Sequence, residues 1–196
     1  MLSSASVVTQ YSEASAEELW ARLEALPKHL KGEIIDGELY VQSRPRPRHA
    51  RGIGFLGRFL GGSFDYDEDG PGGWWIVPEP GIELPRAPEV SPDLAGWRRE
   101  NLPQLPPEGE PFRSRPDWVC EVLSSGNARY DQRTKAAFYA SIGVPWLWMV
   151  DTGNKLIEVR RLGGEKWVVE AVFTDEHHAQ LPPFEAIGIP LDRLWV

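Results

Sequence analysis

The 196-residue chain has one cysteine, Cys120, so it can build neither an internal disulfide nor a thiolate zinc site. It has no apolar run near the ~20 residues that cross a bilayer, and residues 1–8 lack a charged start leading into a long apolar stretch. A cytoplasmic protein without a membrane segment is expected. A basic excess is missing as well. Against 21 Lys and Arg stand 29 Asp and Glu, a net charge of -8, which counts against a nucleic-acid binder. The sequence contains no GxxxxGK[ST] phosphate loop, no GxSxG elbow and no HExxH zinc motif. Gly52-Ile53-Gly54-Phe55-Leu56-Gly57 does spell GxGxxG, but "RPRPRHAR" precedes it where a dinucleotide fold needs a strand. His177 and His178 are adjacent, would face opposite ways on a strand, and read as surface residues.

What is present describes a folded mixed α/β chain. Hydrophobic residues make up 41% and charged residues 26%, which predicts one domain over 1–196 with disorder confined to about residues 1–12. Ser15-Ala16-Glu17-Glu18 is a capping box, and Leu19, Trp20, Leu23 and Leu26 follow at helical spacing, predicting a helix over 16–26. Asp36-Gly37 predicts a hairpin turn within 33–41. A second helix is expected over 49–60, and strands over 74–77, 81–84, 92–97, 118–123 and 146–150. A helix over 128–142 and a hairpin joining 155–160 to 167–173 complete the pattern, with no internal repeat.

Two segments stand apart. The proline-rich stretch 98–115 is long for an idle connection and suggests a functional flap or a partner surface. Arg44, Arg46, Arg48 and Arg51, with His49, concentrate positive charge and by themselves read as a solvated basic loop. Of the adjacent Trp74 and Trp75 only one can face the core, so the other suggests a partner surface and a homodimer.

Glu121 is the anomaly. It lies inside Trp118-Val119-Cys120-Glu121-Val122-Leu123, where burying an unpaired carboxylate is costly. Alternation puts Asp117, Val119, Glu121 and Leu123 on one face, while Asp93, in "SPDLAGW", opens another strand after a proline. If those strands are neighbours, Asp93 and Glu121 converge, and close carboxylates stay ionised cheaply only around a cation such as magnesium or manganese. Downstream, Asp131, Lys135 and Tyr139 recur every four residues on one helix face. A plain i,i+4 ion pair between Asp131 and Lys135, worth ~0.2–0.5 kcal/mol, would also account for two of them.

These residues carry a resemblance. "EIIDGELY", "SPDLAGW", "PDWVCEVLSSGNARYDQRTKAAFYASIGVPWLWMVD" and "LPPFEAIGIPLDRLWV" resemble the bacterial family described as putative restriction endonucleases, in the PD-(D/E)XK nuclease superfamily. The resemblance implies a restriction-endonuclease-like fold with a mixed central sheet flanked by helices. It makes Asp93 the PD aspartate and Glu121 the acid of (D/E)XK, which together hold Mg2+ or Mn2+, with Glu33 as a further carboxylate. The superfamily lysine would fall on Leu123; in this family it looks to have moved to the next helix, where Lys135 matches. His49, Asp117, Asp131 and Tyr139 are supporting candidates. The implied activity is endonucleolytic hydrolysis of phosphodiester bonds in DNA. The competing reading is a catalytically inactive module of the same fold that binds protein or nucleic acid, favoured by the acidic charge and Leu123.

Overall fold

The computed structural model describes residues 9–11, 14–43, 47–124 and 128–195. Arg44 and Arg46 of the basic run, and residues 1–8 and 12 of the start expected to be disordered, lie outside them.

The local signals set the first elements. The Ser15 hydroxyl accepts from the Glu18 amide while the Glu18 carboxylate accepts from the Ser15 amide, starting α1 (Ala16–Glu24). β2 (Leu30–Ile35) and β3 (Glu38–Ser43) form a hairpin about Asp36 and Gly37, both at positive φ, 53° and 76°, as a primed two-residue turn requires. Leu19 of α1 packs on Ile34, Leu39 and Val41 of this hairpin.

One sheet has the order β1-β3-β2-β6-β5, with β1 Thr9–Tyr11, β5 Ile82–Leu84 and β6 Ala87–Val90. β1 corrects the expectation of disorder through residue 12: Thr9, Gln10 and Tyr11 pair with Val41, Tyr40 and Leu39, using the free edge of β3. β6 was not foreseen because Pro88 lies within it. Pro88 takes part in none of the register pairs on either side, which is how a strand tolerates a residue without an N–H.

The second sheet has the order β11-β10-β9-β8-β7-β4. It comprises β4 Trp74–Pro78, β7 Leu94–Arg98, β8 Trp118–Leu123, β9 Trp146–Asp151, β10 Leu156–Gly163 and β11 Lys166–Phe173. Only β8 and β9 run parallel, joined by α3 (Ala128–Tyr130), a π turn (Asp131–Lys135) and α4 (Ala136–Ser141). β8 is covered on both faces. Trp118, Cys120 and Val122 pack with Ile53, Leu56 and Leu60 of α2 (Pro47–Leu60), whereas Val119 and Leu123 pack with Phe138 and Tyr139. A strand buried on both sides is the costliest place in the fold for a charge.

Three sequence readings change here. α2 begins at Pro47, two residues before the start expected at 49, so Arg48 joins His49 and Arg51 on the helix and leaves the basic loop. The GxGxxG stretch falls in the interior of that helix, where a Cβ on Gly52 would come within 3.3 Å of Val122 and one on Gly57 within 3.6 Å of Leu94. Those two glycines let α2 lie close on the sheet. Segment 98–115 is pinned and not a free flap. Phe112 stacks on Trp97 at 4.2 Å, Trp97 Nε1 donates to the Ser114 carbonyl at 3.1 Å, and Trp75 Nε1 to that of Leu102 at 2.9 Å. Trp75 is thus covered within the chain and Trp74 is core, so the pair no longer argues for a homodimer. Among the described residues no helix is long and apolar enough to cross a membrane.

Gly96 shows how tightly the site's scaffold is packed. A Cβ there would sit 3.2 Å from Ile76, Trp118 and Trp74 at once, and Trp118 is fully buried. Gly96→Val is expected to cost about 1–3 kcal/mol by overpacking, read as a lowered urea midpoint at unchanged slope. An unchanged midpoint would mean that the indoles yield freely.

Candidate active site

The β7–β8 register, with Leu94 opposite Cys120, brings the residue before β7 to the middle of β8. Asp93 therefore meets β8 at its backbone: its Oδ2 accepts from the Val122 amide at 2.7 Å and lies 3.0 Å from His49 Nε2. Next to it, Glu121 is 1% exposed. The Tyr139 hydroxyl donates to Glu121 Oε1 at 2.7 Å, and Lys135 Nζ lies 2.7 Å from the same oxygen. Lys135 Nζ is also 3.2 Å from Glu33 Oε1 and donates to the Ser91 carbonyl at 3.1 Å. Glu33 is held in turn by the Ser91 amide at 2.8 Å and by Gln42 Nε2 at 3.2 Å. Lys135 reaches this point from a π turn, a distortion that recurs at functional sites.

Leu123, where the superfamily lysine would fall, packs in the core, and it is Lys135 that stands beside Glu121. Lys135 forms its ion pairs with Glu33 and Glu121, so the i,i+4 pair with Asp131 is not the one adopted. Asp117 lies apart from the set and is buried, not at the surface. Its Oδ2 accepts from the Arg98 amide and its Oδ1 from Asn101 Nδ2, both at 2.8 Å, which ties segment 98–115 to the sheet.

Burial and neighbouring charge decide the protonation states. Burial pushes the Glu121 carboxyl up to about 7; Lys135 opposes this, and the charges of Asp93 and Glu33 add to it. Burial, and then the charge of Glu121, raise Asp131 well above the ordinary range. For Lys135 burial alone would favour the neutral amine, but Glu121, Glu33 and Asp131 together outweigh it and hold the ammonium well above its usual value. Asp93 is lowered: burial works against this, and the His49 hydrogen bond and charge, with Lys135 and Lys31, prevail. Burial first, and then Glu121 and Glu33, raise Tyr139, which leaves it a proton donor to Glu121.

Three contributors were missed from sequence. Ser91 acts through its backbone, which no residue pattern announces. Gln42 was findable, because Tyr40 faces Glu33 across the hairpin and Gln42 lies two residues further on the same face. Lys31, whose Nζ donates to the Ser91 carbonyl at 3.2 Å, shares its strand face with Glu33.

Carboxylate oxygens from neighbouring strands form a hard donor set of the kind that magnesium and manganese prefer. Among the described residues no three acidic, His or Cys side chains close into a cage. Magnesium needs only one or two protein carboxylates, with water and phosphate oxygens completing its shell, so the donor set fits it. His49, which holds Asp93, also lines a groove of about 820 Å³ with Arg48, Leu123, Ser124, Asp151 and Asn154 on its walls.

The family model Uma2, described as "Putative restriction endonuclease", matches residues 16–192. The fold is similar to the crystal structure of a putative nuclease belonging to DUF820 from Anabaena variabilis. The TM-score is 0.69 and the identity 18%, over 90% of this chain and 96% of that one. No curated protein matches the chain.

Proposed function

We propose that this chain, which belongs to the Uma2 putative restriction endonuclease family, is a divalent-metal-dependent endonuclease that hydrolyses phosphodiester bonds in DNA, working as one restriction-endonuclease-like domain. A single observation carries the reading: a fully buried lysine ion-paired to two buried carboxylates, with a third, Asp93, held by the His49 that lines an open groove. A purely structural charge network of this kind is rarely worth its desolvation, since an apolar replacement of the same volume is often neutral or stabilising.

Asp93 and Glu121 would hold the cation, with Glu33 as a further carboxylate. Bound there, magnesium or manganese supplies polarisation of the phosphate and a water of lowered pKa. The protein's own groups supply the rest. His49 Nε2 and the Val122 amide fix the direction of the Asp93 carboxylate, and Tyr139 does the same for Glu121. The Lys135 ammonium, held cationic by its carboxylates, puts a fixed positive charge where negative charge develops on the phosphate oxygens. That permanent charge suits electrostatic stabilisation and not proton abstraction.

The test is direct. Purified protein with magnesium or manganese should convert supercoiled plasmid to nicked and linear forms, and chelation should stop it. If manganese binds but plasmid, single-stranded DNA and RNA all stay intact, the inactive-module reading replaces this one.

A further inference from the structure

We propose that the outer face of α2 is the track along which the nucleic-acid backbone runs into the groove; this rests on the nuclease reading and adds the surface that holds the substrate. In a chain of net charge -8, the fourteen residues of α2 include no acid and present Arg48, Arg51 and Arg58 to solvent. Spacings of three and seven put the three on one stripe. Arg48 and Arg58 span ten residues, about 15 Å of helix, or roughly four phosphate steps along one strand of a duplex. All three are arginines, whose planar forks match phosphate oxygens. Arg51 is steadied by the Arg193 carbonyl at 3.1 Å, which orients its guanidinium without neutralising it. Among the described residues none of the three meets a carboxylate in an ion pair.

A second observation is independent of charge. Gly52 and Gly57 are explained by close packing on the sheet, but Gly54 is exposed and a Cβ there would meet nothing within 4 Å. A glycine in a helix interior is destabilising, and no contact within the fold accounts for this one. It leaves a flat spot on the arginine face where a backbone can approach closely. A third observation lies where the stripe meets the groove. His49 lines the groove and its side chain is 9% exposed, with Nε2 on Asp93 and Nδ1 without a partner. A run of phosphates accounts for the unpaired arginine stripe and for the bare Gly54, and His49 ties that stripe to Asp93.

Binding of a fluorescent 20-base-pair duplex, followed by anisotropy in EDTA from 50 to 200 mM salt, tests the surface without turnover. Arg48→Gln/Arg58→Gln should weaken binding at least tenfold and flatten the slope of log K against log salt by about 2, one unit per lost phosphate contact. Gly54→Ala should raise the melting temperature by about 2–4 °C while weakening the duplex several-fold, and Gly54→Glu should abolish binding in a folded protein. Opposite signs for stability and binding are what a merely structural glycine would not give. Unchanged affinity and slope in the double variant, or no binding by the parent, overturns the proposal. So does displacement of the duplex by polyglutamate at equal charge concentration, which would assign the face to an acidic protein. Because no cleavage is measured, binding through α2 by a protein that fails the plasmid assay sinks the nuclease reading alone. Cleavage with binding indifferent to α2 sinks only this one.

Discussion

Lys135→Ala is expected to cost about 3–5 kcal/mol of stability and about 10²–10³ in cleavage rate, the two largest losses any single substitution here should give. Glu33 is 0% exposed and Glu121 1%, and the ammonium between them lies 3.2 and 2.7 Å from their oxygens. Taking the ammonium away leaves two carboxylates in low dielectric with no opposite charge, a far dearer state than losing a surface pair. The stability loss should therefore be recoverable without restoring the lysine. Lys135→Met/Glu33→Gln/Glu121→Gln keeps the volume and removes both stranded charges, so its urea midpoint should return most of the way to that of the parent. Its activity should not return, because the fixed positive charge beside the phosphate is still absent. A Lys135→Ala protein that unfolds within about 1 kcal/mol of the parent would mean that water reaches the carboxylates and that the pair is not buried as described.

That Lys135 could be suspected from sequence, and its contacts could not, shows where residue patterns stop. The capping box of α1 and the Asp36-Gly37 turn are local chemistry, and both formed as read. Glu121 was conspicuous because a charge inside an apolar strand contradicts its surroundings, and Asp93 came with it because β7 and β8 are neighbours in one sheet. Glu33 reached the site only through the resemblance. Its place depends on the hairpin meeting residue 91, 58 positions away, through a backbone amide that carries no residue signature. The same limit explains β1 and β6, short segments that pair with a free edge and have too few residues to show alternation. Trp75 misled for a related reason: its cover is a proline-rich segment whose path over the sheet is set by Phe112 on Trp97 and by Asp117, contacts that no periodicity encodes.

Glu121→Gln is expected to gain stability relative to the parent as pH rises, which is the reverse of what losing a charged partner usually does. The Glu121 carboxyl lies near 4.5 when unperturbed and is pushed up to about 7 in the folded protein. The native state then binds that proton more tightly than the unfolded chain. The resulting contribution is fully present below pH 4.5 and is lost as pH climbs through 7, amounting to about 3 kcal/mol at ~1.4 kcal/mol per unit. Asp131 is raised as well, partly by the charge of Glu121, so its titration shifts in the variant and the difference between the melting curves reports Glu121 together with that coupling. Near pH 5 the two should melt close together, and by pH 8 the glutamine variant should be the more stable. A difference that stays flat from pH 5 to 8 would mean that Lys135 already keeps Glu121 fully ionised. The same proton bears on the proposed chemistry, since a carboxylate must lose it before it can hold a cation. Manganese affinity should therefore rise with pH, about tenfold per unit below 7, and level off above it, with a proton released to the buffer at pH 6. At pH 8, where the empty site carries its charge at greatest cost, saturating manganese should raise the melting temperature of the parent and leave that of Glu121→Gln where it was.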